Sequence, residues 1–162
     1  MSSAPGRWEE PVTLKTLRLI LLATLALGLV GTGVELLLLE HTEDYWQLVP
    51  LVLIGGALLV LAWHAVDRRA RSTRAIRAMM LLFVVSGIVG LVLHYQGNVE
   101  FEREMYPGLG GTSLFRQAMS GATPALAPGM MIQLALLGLA YTFRHPALTT
   151  ARESATSETT GR

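Results

Sequence analysis

The chain has 162 residues, 51% of them hydrophobic and only 15% charged, with a mean hydropathy of +0.44. Soluble domains carry about 25% charged residues, and here the charges sit in blocks between long uncharged runs, so the pattern excludes an ordinary soluble globule and indicates a polytopic membrane protein with one small bundle. The absence of cysteine excludes disulfides, thiolate metal sites and iron–sulfur clusters. The net charge of +1 is uninformative, because the asymmetry is spatial.

Taken in chain order, residues 1–16 form a polar leader. Crossing a bilayer takes roughly 20 apolar residues in a helix, and the sequence predicts an all-α, four-span bundle over residues 17–143, with spans at about 17–39, 46–66, 76–97 and 125–143. The first apolar run exceeds the roughly 7–15 residues of a signal-peptide core and follows Glu9 and Glu10, so it reads as a retained helix. Residues 144–162 are Ser/Thr-rich without apolar periodicity and read as a disordered tail. No internal repeat is visible.

Arg7, Lys15 and Arg18 precede or open the first span. Arg68, Arg69, Arg71, Arg74 and Arg77 lie between the second and third, and Arg144, Arg152 and Arg162 follow the fourth. Of the 13 basic residues, Arg103 and Arg116 alone fall on the other side. The positive-inside rule places both termini in the cytoplasm and suits a bacterial inner membrane. The arginine run is then a topological signal that meets anionic lipid headgroups, and no nucleic-acid partner is expected. Trp46, Trp63 and Tyr141 occupy span ends, where aromatic belts belong.

The outer face receives Glu40, Glu43, Asp44, Glu100, Glu102 and Glu104. A tight HTEDY connection makes spans one and two a hairpin, whereas residues 98–124 form a 27-residue outer segment, longer than most structureless connections. It reads as an acidic stretch, EFERE, a turn, YPGLGG, and a short amphipathic helix, with Leu114, Phe115, Ala118 and Met119 at helical spacing and Thr112 or Ser113 as its cap. Pro124 marks the start of span four. Glu43, Asp44, Glu100, Glu102, Glu104 and Phe115 are the candidate docking residues of this face.

Ionisable residues inside a span are costly, so each asks for a partner. Glu35 shares a helical face with Thr24, Gly28 and Gly31, and His94 shares one with Ser86, Gly90 and Gly97. Both lie about one turn inside the outer boundary. The matching depths and small-residue faces predict that spans one and three pack together with Glu35 beside His94. Gln133, on a face with Gly129 and Ala140, is expected to hydrogen-bond another helix and to reach Glu35 if that face turns inward. His41, His94, Glu35 and Glu40 are candidate ligands for a divalent metal such as Zn²⁺, although no HxxxH or HxxE spacing supports them. Haem is disfavoured: His64 and His94 lie at opposite faces and cannot share one, which leaves His41 with His94 as the one pair that could ligate it. His64 itself reads as interfacial.

The stretch GLVGTGVE resembles the glutamate-bearing first helix of small multidrug exporters. The resemblance stops there, because Glu35 lies nearer the surface and the long outer segment has no place in that pattern. No nucleophile–base pair, phosphate loop or dinucleotide fingerprint is present, so no enzyme is expected. The sequence favours an accessory or assembly subunit of a larger membrane complex, or a homo-oligomer, with binding of a metal, small ligand or protons at the Glu/His site as the alternative.

Overall fold

A computed structural model describes residues 12–42, 44–121 and 125–149. Its elements are α1 (Val12–Leu38), α2 (Tyr45–Val66), α3 (Ala70–Met105), α4 (Gly111–Met119) and α5 (Gly129–Thr142). Three of them, α1, α2 and α3, are long and apolar enough to cross a membrane, whereas α5 is a shorter apolar helix. Much of the apolar surface points outward: Leu27 is 74% and Leu59 73% exposed. Such a surface suits hydrocarbon, because in water contiguous apolar patches of this kind are rare on a monomer.

Each helix boundary has a local cause. The Asp44 carboxylate accepts from the Trp46 and Gln47 amides at 2.7 and 3.0 Å and caps α2, satisfying two of the amides that a helix start leaves unpaired. Helix α3 runs on past the expected end at residue 97, through EFERE to Met105. Loss of hydropathy at Gly97 and Asn98 marks a change of environment and not the end of the helix. The segment after it contains good helix formers, and Pro107 then disfavours helical backbone at Tyr106, the C-cap. Helix α4 lies where expected, but its N-cap is Gly110 and no side chain caps it, so the expected role of Thr112 or Ser113 is corrected. Pro124 lies outside the described residues. Helix α5 starts at Gly129, later than expected, because Pro128 lacks an amide proton; i→i+3 bonds from Gly129 to Leu126 and from Met130 to Ala127 tighten the approach.

Helix α1 packs on α2 and α5, α3 packs on the same two, and α4 rests on α3. The three long helices and α5 thus form a ring in the order α1, α2, α3, α5, with α1 and α3 on a diagonal. Leu25 and Leu29 of α1, Ile54 of α2, Phe83 of α3 and Leu134 of α5 are buried in one apolar core. The expected pairing of spans one and three is corrected, because Gly28 of α1 and Gly87 and Gly90 of α3 serve α5 instead. A Cβ on Gly28 would meet Leu134, one on Gly90 would meet Pro128, and one on Gly87 would meet Ile132 and the Pro128 carbonyl.

Candidate functional sites at the two ends of the bundle

At the acidic end the expected Glu35–His94 pair does not form. Glu35 is exposed, and its carboxylate pairs with no described residue. Gly31, on the same stripe, faces open space. The diagonal placement of α1 and α3 is the reason. Gln133 is exposed as well, so its face turns outward and away from any Glu35 site. The structure does bring His41 and His94 together, both half-buried, with ring centres 6.3 Å apart. Glu40 is exposed in a left-handed turn at φ 53, and among the described residues no three His, Asp or Glu side chains gather as a metal would require. The four-residue metal set therefore reduces to two imidazoles.

Beyond these histidines α3 projects as a rod. Its 36 residues span ~54 Å at 1.5 Å per residue, against about 30 Å of bilayer core. Glu100 and Glu104 are exposed and Glu102 is half-buried. A shallow groove runs along Gln96, Val99, Glu100, Arg103 and Glu104. Helix α4 is fastened to the rod by the buried Asn98 side chain, whose amide donates to the Ala118 carbonyl at 2.8 Å. Tyr95 and Phe115 add a ring contact at 6.0 Å. Phe115 remains 56% exposed, and Phe101, Met105 and Tyr106 near the end of α3 are exposed as well. Asp44 is exposed but its carboxylate is used as a helix cap, and Glu43 lies outside the described residues.

The other end holds a buried polar network. Arg18, expected to be a topological charge, is 9% exposed. Its guanidinium donates to the carbonyls of Tyr141 (2.8 Å), Phe143 (3.2 Å) and Arg144 (3.1 Å). It thereby caps the C-terminus of α5 with a cation, where unpaired carbonyls concentrate partial negative charge. His64, expected at the interface, is 1% exposed, and Tyr141, expected in an aromatic belt, is 5% exposed.

Proton positions in this network follow from its chemistry. The Ser72 hydroxyl has one hydrogen and faces the Asp67 and Arg69 carbonyls. It must therefore accept from His64 Nδ1, 2.8 Å away. His64 Nε2 is then left to accept from the Tyr141 hydroxyl at 2.5 Å. His145 lies over the pair, with its ring centre 5.3 Å from Tyr141 and 6.0 Å from His64. Every helix that meets at this end is tied in: α1 through Arg18, α2 through His64, α3 through Ser72 and α5 through Tyr141. The clues in the sequence were an arginine inside an apolar run and a Ser-Thr pair just after the α2–α3 turn. Arg68, Arg69, Arg71, Arg74 and Arg77 stay exposed around it, with Arg69 3.1 Å from Asp67.

These features define an all-helical protein with three helices suited to crossing a membrane, locked by hydrogen bonds at one end and projecting an acidic rod from the other. No protein-family model matches the chain, and neither a curated protein nor a solved structure does.

Proposed function

We propose that the protein is a four-span subunit of a cytoplasmic membrane, such as the bacterial inner membrane, with α5 as its fourth span and both termini inside. It acts as an accessory or assembly component, docking on a larger membrane complex through its acidic outer face. The single observation that carries this reading is the continuation of α3 through Glu100, Glu102 and Glu104 to Met105, with exposed Phe101, Tyr106 and Phe115 beside those acids. An ordered rod with aromatic anchors, on which three glutamates outnumber the single Arg103 between them, fits a basic protein surface, since aromatics dominate interface energetics and complementary charge guides encounter. The face of α4 that carries Phe115 would lie against that partner or the membrane surface.

The test is co-purification in mild detergent from the native membrane. Glu100→Lys with Glu104→Lys should release a specific partner, while Arg74→Gln at the opposite end retains it and helicity stays unchanged. A partner set identical in both variants would overturn the reading.

A second reading rests on the His41–His94 contact. Two neighbouring imidazoles in acidic surroundings are a candidate site for a borderline divalent ion, with water or a partner supplying the remaining ligands. Titration of the purified chain with Zn²⁺ should show binding that His41→Gln and His94→Gln each remove. Equal binding by both variants would refute it.

A further inference from the structure

We infer that the outward face of α5, centred on Gln133, is an interface with a second copy of this chain. The inference rests on the reading of α5 as a span, and it concerns a different surface from the acidic rod.

Gln133 lies at mid-depth by two independent registers. Its neighbour Leu134 faces Gly28, close to the middle of α1 (Val12–Leu38). Its other neighbour, Ile132, faces Gly87, halfway along α3 (Ala70–Met105). The side chain is nevertheless exposed and makes no hydrogen bond with the described chain. An amide at that depth cannot reach water, because the half-thickness of the apolar layer is about 15 Å and a glutamine side chain spans only a fraction of that. Hydrocarbon offers it no partner, and leaving it unpaired costs free energy. Glu35 differs in this respect: it is four residues from the last residue before Glu40 and can turn its carboxylate toward the surface.

The shape of the face is suitable. At about 100° per residue, Gly129, Gln133, Leu136 and Ala140 fall within roughly 60° of one another. A Cβ on Gly129 would meet nothing within 4 Å, so another backbone can come close there. The chemistry selects the occupant. A primary amide carries both donors and an acceptor. A copy related by a two-fold axis along the membrane normal presents the same group at the same depth. The two amides then bond reciprocally, each donating an N–H to the other's oxygen. A different protein would have to carry a polar group at that same level, whereas a second copy does so by construction.

The experiment is subunit counting by single-molecule photobleaching of the full chain in liposomes over a range of protein-to-lipid ratios. Wild type should be dimeric. Gln133→Leu, a benign change at a lipid-facing site, should weaken dimerisation by roughly tenfold, the effect of two interhelical hydrogen bonds, and Gln133→Asn should largely preserve it. Wild type that stays monomeric at every ratio, or Gln133→Leu that dimerises as well as wild type, overturns the proposal. Labelling single cysteines at Ser113 and Thr149 separates failure of the four-span reading from failure of this one. Labelling from the same side would remove α5 as a span, whereas opposite sides with monomeric protein would remove the dimer alone.

Discussion

Arg18→Met removes the guanidinium that terminates α5 while keeping a long apolar stem. The bond to the Tyr141 carbonyl, 2.8 Å long and buried, is the largest loss, because a bond from a charged donor contributes about 1.5–3 kcal/mol. Phe143 and Arg144 are exposed, so their carbonyls can return to water, and their two bonds add about 0.5 kcal/mol each. The expected destabilisation is therefore about 2.5–4 kcal/mol. Arg18→Lys should recover roughly half of it: the charge stays at the helix C-terminus, but one ammonium cannot reproduce a planar fork that reaches three carbonyls. Reversible unfolding in mixed micelles, followed by circular dichroism, measures both variants. Stability of Arg18→Met within about 0.5 kcal/mol of wild type, or of Arg18→Lys equal to wild type, would refute the argument from the cap.

Tyr141→Phe leaves the buried His64 Nε2 without its partner and should cost about 1–3 kcal/mol in the same assay; an unchanged midpoint would contradict the His64–Tyr141 hydrogen bond. Gly87→Ala should destabilise by about 1–3 kcal/mol, because the new methyl meets the Pro128 carbonyl at 3.2 Å and the Ile132 amide nitrogen at 3.3 Å, backbone atoms that cannot rotate away. Gly97→Ala, with nothing within 4 Å, should be neutral or stabilising by about 0.5–1 kcal/mol, and equal effects at the two glycines would show that the α3–α5 contact is not as close as described.

The lock at the basic end and the rod at the acidic end differ in how far they could be read from the residues. The helices of the bundle follow from local properties. Long apolar runs specify them in any apolar surrounding, a HTEDY turn dictates the α1–α2 hairpin, and Leu114 and Ala118 at helical spacing mark α4. The extent of α3 is also local in cause, but hydropathy alone puts its end at Gly97 and not at Met105. Helix propensity and the Pro107 stop were the better guides.

What one sequence could not determine was which faces meet. A stripe such as Thr24, Gly28, Gly31 and Glu35 is compatible with several neighbours, since lipid tails are as apolar as leucine and exert no preference. Tertiary packing divided that stripe, giving Gly28 to Leu134 of α5 and leaving Glu35 outside. The same packing drew His64, Ser72, Tyr141 and Arg18 from four helices into one network. Spacing along the chain carries no record of that meeting, because hydrogen bonds between residues as far apart as Arg18 and Tyr141 exist only once the ring of helices has closed.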